Sequence, residues 1–143
     1  MTEPMTIVMI EDDDGHARLI EKNIRRAGVM NDMRRFAEGG SGLRYLLDEC
    51  PHCAVLVLLD LNLPDMSGVD ILRRIKNHPT LKAAPVVVLT TTDDKNEINR
   101  CYELGCSVYV TKPIEYENFA EAIRRLGLFL QVVRAPELHG PAA

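Results

Sequence analysis

Polar side chains capable of chemistry stand directly after the short apolar segments of this sequence. They comprise three carboxylic acids, a hydroxyl and an amine: Glu11, Asp12, Asp60, Thr90 and Lys112. Each of them alone has a structural explanation, because acids and hydroxyls often begin loops or cap the following helix. Taken together they indicate one site, if the fold brings the ends of the apolar segments to the same place.

Three carboxylates, a hydroxyl and an ammonium suit the handling of a phosphoryl group. Crowded carboxylates repel unless they share protons or a cation, and an all-oxygen cluster suits a hard ion such as Mg²⁺. The ammonium of Lys112 adds a second positive charge, which phosphoryl oxygens require during transfer. We therefore predict Asp60 as the nucleophile and Glu11 and Asp12 as metal-site acids. Thr90 would donate its hydroxyl to a phosphoryl oxygen.

The elements that must position these residues alternate between strands and helices. Apolar runs predict five strands: Thr6–Ile10, a weak strand near Met33–Ala37, Val55–Leu59, Val86–Leu89 and Val108–Val110. Helical spacing of apolar residues fills the segments between them, and a fifth helix is predicted after Pro113. This order predicts an α/β fold, (βα)₅, with a doubly wound parallel sheet. Ligands of such sheets bind at the carboxyl ends of the strands.

Length and composition narrow the class of protein. A chain of 143 residues with 46% hydrophobic residues has the size of one domain, which we expect over residues 1–134, followed by a flexible tail at 135–143. The net charge of -4 gives no general attraction to nucleic acid or to an anionic membrane. We find no membrane span or signal peptide, and so expect a cytoplasmic protein with its four cysteines reduced.

Four segments resemble the receiver domain of two-component response regulators. They are Val8–Asp12, Leu58–Gly68, Val87–Thr90 and Tyr109–Pro113. The resemblance extends from about Thr6 to Leu128 and lies in the order and spacing of these segments together. It implies a flavodoxin-like sheet of strand order 2-1-3-4-5.

The same resemblance implies roles for individual residues. Asp60 would accept a phosphoryl group from a phosphohistidine on a partner histidine kinase. Asp12 and Asp60 would ligate Mg²⁺ through their side chains. Asn62 would contribute its backbone carbonyl, and Glu11 would act through an ordered water.

A second group of implied roles concerns signalling. Lys112 would pair with Asp60 or its phosphate, and the Lys112-Pro113 bond would be cis. Thr90 and Tyr109 would form a conformational switch, in which the hydroxyl moves toward the phosphate and the Tyr ring turns inward. The sequence departs from the commonest pattern at Glu11, where many receivers have Asp, and at Thr91, where many have Ala or Gly. The second departure puts the lifetime of the phosphoryl group in doubt.

Three other readings of the sequence compete. A haloacid-dehalogenase-type phosphatase also uses an aspartyl nucleophile, but it needs a second Asp two positions later, where this chain has Asn62. The pair Cys50 and Cys53 has the spacing of a thiol oxidoreductase, although it follows a predicted helix and does not begin one. A nucleotide-binding flavodoxin relative would need a phosphate-binding loop where the acidic residues after the first strand would repel phosphate.

The output of the signal is predicted to pass through a protein surface. A long last helix, about Tyr116–Arg134, carries a core-facing apolar stripe and further apolar residues, including Leu128, on other sides. We expect a homodimer through the last two helices and the last strand; a tail folded over these residues is the alternative. The long helix and the segments around the fourth strand resemble regulators that pair with phytochrome-type kinases, so a bacteriophytochrome is the expected type of partner.

Overall fold

The computed structural model describes residues 5–49 and 54–112, together with Glu117, Glu121 and Arg124. The strands are β1 (Thr6–Ile10), β2 (Met33–Phe36), β3 (Val55–Leu59), β4 (Val86–Thr90) and β5 (Val108–Thr111). The α-helices are α1 (Asp14–Arg26), α2 (Gly39–Arg44), α3 (Gly68–Asn77) and α4 (Lys95–Leu104). A π-helical turn, Tyr45–Glu49, continues α2, and a 3₁₀ turn, Leu81–Ala83, precedes β4.

All five strands pair in parallel in the order β2-β1-β3-β4-β5, as predicted. The chain winds from β1 to β2 on one side and then crosses to β3 on the other, so the order reverses next to β1. Strands β4 and β5 are each one residue longer than predicted. Thr90 is therefore the last residue of β4, where it pairs with Thr111 of β5, and does not begin the loop.

The sheet is buried between two apolar layers. Alternate residues of β1 enter opposite layers: Val8 and Ile10 lie on one side, Ile7 and Met9 on the other. Every residue of β3 and β4 is buried, which explains the unbroken apolar runs in their sequences. Because both faces are covered by hydrocarbon, the polar groups that follow these strands can gather only at the sheet edge.

Short polar caps start the helices directly after the loops at that edge. The side chains of Asp13, Ser67 and Asp94 accept hydrogen bonds from backbone N–H groups in the first turns of α1, α3 and α4. Glycines follow two helices: Gly28 and Gly105 have φ angles of 92° and 109°, in the left-handed region that favours glycine. The caps fix where each loop ends and thereby limit the positions of the loop side chains.

The second helix differs from its prediction. The apolar spacing of Leu43, Leu46 and Leu47 predicts an α-helix, whereas the α-helical part ends at Arg44 and a π turn carries the last two of these residues. Gly42 packs so closely on β1 that a Cβ atom there would lie 2.7 Å from the Cδ1 of Ile10. The contact between α2 and β1 is therefore made through backbone, which periodicity does not reveal.

Several predicted features lie outside the described residues. They are Cys50 and Cys53, the Lys112-Pro113 bond, most of the last helix with Leu128, and the tail at 135–143. Among the residues that are described, no helix is long and apolar enough to cross a membrane.

Gly68 supports a prediction about stability. A Cβ atom at this position would lie 2.4 Å from the backbone oxygen of Asp60, so Gly68→Ala must displace the loop that follows β3. We expect a loss of about 1–3 kcal/mol in the free energy of unfolding, measured by chemical denaturation. Gly15→Ala is the matched control, because its close contact is an exposed Asp13 carboxylate oxygen at 3.2 Å. Equal stability of both variants would contradict the close packing at Gly68.

Candidate functional site

An ammonium and two carboxylates meet at the carboxyl edge of the sheet. The Nζ atom of Lys112 donates a hydrogen bond to Glu11 Oε1 and another, 3.1 Å long, to Asp60 Oδ2. All three residues are buried, with 4%, 2% and 7% of their surface exposed, respectively. Buried charges are retained only where they are paired, so these groups form one electrostatic unit.

The strand register places these three side chains together. Ile10 of β1 pairs with Leu59 of β3, so the next residues, Glu11 and Asp60, leave the sheet side by side. The Asp60 backbone N–H continues the ladder by donating to the Ile10 carbonyl at 3.0 Å. Lys112 follows β5, which lies two strands from β3, and its long side chain spans the distance to Asp60.

The acids of the site can also hold a cation. Glu11, Asp12 and Asp60 each offer a carboxylate oxygen, and these atoms lie within 4.8 Å of one another. Asp12 is exposed and faces a cleft of about 550 Å³, which Asn62 and Pro64 also line. Because all the donors are hard oxygens and one side is open, the cluster fits a divalent cation that keeps water ligands.

Burial and hydrogen bonding separate the two buried acids. Burial raises the pKa of Glu11 to about 8, and its hydrogen bond with Asp60 adds to the increase. Burial also acts to raise the pKa of Asp60, but hydrogen bonds from Glu11 and the Asn62 N–H, together with Lys112, outweigh it and lower the pKa. Asp60 is therefore the acid that stays ionised, and an ionised carboxylate is the nucleophilic form.

Thr90 carries a buried hydroxyl without a hydrogen-bond partner among the described residues. The residue is completely buried at the end of β4, and its backbone oxygen accepts from the Lys112 N–H at 2.6 Å. Buried polar atoms nearly always have a partner, so an unpaired hydroxyl beside a cluster of functional groups calls for an explanation. A ligand oxygen entering the site would supply the missing acceptor.

Asn62 and Tyr109 both form hydrogen bonds with Thr92, in the loop after β4. The Asn62 N–H donates to Asp60 Oδ1 at 3.0 Å, and its side-chain amide donates to Thr92 Oγ1 at 3.4 Å. The Tyr109 hydroxyl donates to the Thr92 carbonyl at 2.6 Å. Burial raises the pKa of Tyr109 to about 12, so this hydroxyl stays a donor. Thr92 thus contacts both Asn62, whose N–H holds the predicted nucleophile Asp60, and the predicted switch residue Tyr109.

The sequence reading missed three residues that support the site. Arg35 of β2 donates to the Glu11 carbonyl at 2.9 Å and to Asp14 Oδ1 at 2.6 Å. The carboxylate of Asp65 accepts from two N–H groups at the start of α2, at 2.8 and 2.7 Å. His16 lies 3.1 Å from Lys112 Nζ. Each of these contacts joins distant segments, so spacing along the sequence carries no signal for it.

Comparison with known proteins finds response regulators and their receiver domains. Residues 7–124 match the family model described as "Response regulator receiver domain". A receiver-domain structure from Rhodospirillum rubrum is 61% identical, has a TM-score of 0.91 and is matched over 94% of this chain and 99% of that chain.

Two cyanobacterial response regulators are also similar. Response regulator Rcp1 of Synechocystis is 29% identical over 93% of this chain and 94% of its own length. Its Mn²⁺-bound structure has a TM-score of 0.85 and is covered over 93% of this chain and 99% of that one. The phosphorylated cyanobacterial phytochrome response regulator RcpA is 29% identical with a TM-score of 0.85, over 94% of this chain and 100% of that one.

The family match covers most of the chain, and the fold and the strand-edge residues agree with it. Relatives of this kind are signalling proteins. The chain belongs to the response regulator receiver domain family.

Proposed function

We propose that this protein is a response regulator whose Asp60 accepts a phosphoryl group from the phosphohistidine of a sensor histidine kinase. The observation that carries the proposal is the contact of Asp60, a buried acid with a lowered pKa, with the ammonium of Lys112 beside two further carboxylates. Such a group is an anionic nucleophile that is already surrounded by the charges a phosphoryl group requires.

In the proposed reaction an Asp60 oxygen attacks the phosphorus and forms an O–P bond. The N–P bond of the donor histidine breaks, and its electron pair returns to the imidazole nitrogen. Lys112 holds one Asp60 oxygen and the Asn62 N–H holds the other, so the carboxylate is oriented before the donor arrives. Orientation of this kind supplies much of the catalysis in phosphoryl transfer.

Mg²⁺ is the proposed cofactor. Asp12 and Asp60 would hold the ion through their carboxylates, Asn62 through its backbone carbonyl and Glu11 through water. When bound, the ion supplies positive charge that neutralises phosphoryl oxygens. The crowded oxygen donors and the open cleft support this assignment.

Thr90 and Tyr109 are the proposed switch. The unpaired Thr90 hydroxyl would donate to a phosphoryl oxygen on Asp60, and its shift would change the space available to the Tyr109 ring. The contacts of Tyr109 and Asn62 with Thr92 support a coupled response, because one loop contacts both residues. The phosphoryl group on Asp60 is expected to persist. Asn62 stands where a haloacid-dehalogenase-type phosphatase has an acid that transfers protons, and because an amide cannot do so, attack by water would be unassisted.

The proposed kinase is of the phytochrome type, because RcpA, a cyanobacterial phytochrome response regulator, resembles this chain over nearly the whole length of both. We also propose a homodimer through the last two helices, the last strand and the apolar residues of the segment 116–134. Leu128 lies outside the described residues, and its role in the dimer rests on the sequence pattern alone.

Asp60→Asn tests the phosphoacceptor. The variant should gain no phosphoryl group from acetyl phosphate with Mg²⁺, because an amide is a poor nucleophile, whereas the wild type should gain one. Intact-mass spectrometry measures both proteins, and the wild type without a divalent cation should also remain unmodified. Asp70→Asn is the matched control, since it changes an exposed acid of the helix that follows the same loop. Equal modification of Asp60→Asn and the wild type would overturn the assignment.

Thr90→Val separates function from stability. Because the buried hydroxyl has no partner among the described residues, its loss should leave the free energy of unfolding unchanged or raise it by about 1 kcal/mol. Phosphorylation should nevertheless slow by roughly ten- to a hundredfold, since a donor to the phosphoryl oxygens is lost. Denaturation and the rate of phosphorylation by acetyl phosphate measure the two effects. A destabilised variant with a wild-type rate would contradict the proposed role.

Leu128→Asp tests the proposed homodimer. A buried charge in an apolar interface is unfavourable, so the variant should shift the protein toward monomer in sedimentation equilibrium. An unchanged mass distribution would refute the interface, and a shared monomeric mass of wild type and variant would refute the dimer itself.

A further inference from the structure

We infer that His16 is a positioning residue for Lys112: its imidazole holds the third N–H of the ammonium and keeps the charge directed at Asp60. The consequence for phosphorylation rests on the proposed function, whereas the contact itself does not. His16 is absent from the residues that the sequence motifs single out.

The donors and acceptors around Lys112 lead to this inference. An ammonium has three N–H groups and no acceptor. Among the described residues, Lys112 Nζ has three partners: Glu11 Oε1, Asp60 Oδ2 and His16 Nδ1, the last two at 3.1 Å. Because Lys112 can only donate, His16 Nδ1 is the acceptor, and the ring proton of the neutral imidazole lies on Nε2. His16 is therefore the third acceptor of the Lys112 ammonium.

The backbone at His16 is fixed independently of this contact. The residue lies in the first turn of α1, and its N–H donates to the Asp13 carboxylate at 2.9 Å as part of the helix cap. Its side chain is 42% exposed, so the ring stands between solvent and the buried ammonium. His16 Nδ1 is 3.9 Å from Glu11 Oε1, too far for a hydrogen bond, which leaves Lys112 as its partner in the buried cluster.

A neutral acceptor suits this position better than an acid. The ionised Asp60 already places a negative charge beside the ammonium. A carboxylate at the position of His16 would add another and would repel an incoming phosphoryl group. The imidazole anchors the ammonium without adding charge. When the carboxylate of Asp60 becomes an acyl phosphate, the phosphoryl oxygens can replace it as acceptors, while His16 continues to hold the ammonium from the other side.

The lysine side chain needs such an anchor because it is flexible. It has four methylene groups and a head with freely rotating donors. Without His16, one N–H would turn to water, and the ammonium could move away from Asp60 toward the solvent. This loss should affect the rate of phosphoryl transfer and leave divalent-cation affinity unchanged, since the proposed metal-binding groups do not include His16.

The test uses three variants of the full chain. His16→Leu removes the acceptor, and His16→Asn keeps an acceptor oxygen near the place of Nδ1. Arg18→Leu is the control, because it makes a similar change at an exposed position of the same helix. His16→Ala replaces the Leu variant if circular dichroism shows that His16→Leu does not fold.

The first readout is the ¹H–¹⁵N signal of the Lys112 ammonium, identified by its loss in Lys112→Met. This signal is visible only when exchange with water is slow, so it should disappear in His16→Leu and remain in His16→Asn and Arg18→Leu. Phosphorylation by acetyl phosphate at saturating Mg²⁺ should be about tenfold slower in His16→Leu, with near wild-type rates in the other two variants. The Mg²⁺ concentration at half-maximal rate should not change.

An unchanged ammonium signal in His16→Leu would overturn the inference, and so would failure of His16→Asn to restore it. A fall in Mg²⁺ affinity without a change in the maximal rate would also overturn it, because that result belongs to a metal ligand. If no variant and no wild-type protein becomes phosphorylated, the proposed function fails, and the ammonium signal still decides whether His16 holds Lys112.

Discussion

The contact of a buried lysine with two buried carboxyl groups, of which Asp60 is the ionised one, is the constraint on which the rest of the site depends. Lys112, Glu11 and Asp60 are each costly to bury alone, and removal of one partner from such a cluster leaves an uncompensated charge. The cluster therefore ties the ends of β1, β3 and β5 together. The same charges suit Asp60 to its proposed role as the nucleophile and suit this edge of the sheet to the proposed cation site.

Around this cluster the fold combines rigid and adjustable parts. Strands β3 and β4 are buried along their whole length, and helix caps fix the loops that follow. Asp65 joins the loop after β3 to the start of α2, and Arg35 joins β2 to the loop after β1. The hydroxyl of Thr90 is different, because it has no hydrogen-bond partner among the described residues. A rigid frame with an unpaired hydroxyl near the site suits the proposed switch, which requires only a small rearrangement.

Much of the fold was predictable from local pattern. The unbroken apolar runs of β3 and β4 and the alternation of strands with helical spacing lead to a parallel sheet, and the glycines after α1 and α4 mark helix ends. The exceptions have physical causes. Thr90 belongs to β4 because its backbone pairs with Thr111, and α2 turns into a π-helical segment where glycine backbone packs on β1. Both depend on neighbouring segments and not on local propensity.

The sequence by itself determined which groups are the candidates for the chemistry. Parallel strands bring their carboxyl ends to one edge of the sheet, and the polar residues at these strand ends are Glu11, Asp12, Asp60, Thr90 and Lys112. Only the tertiary structure decided how these groups share protons and hydrogen bonds. His16, the third partner of Lys112, is 96 positions away in the sequence. Arg35, which donates to the Glu11 carbonyl, lies in β2, the strand with the weakest sequence pattern. Periodicity records which residues face the core, whereas hydrogen bonds between distant loops depend on the relative placement of whole elements.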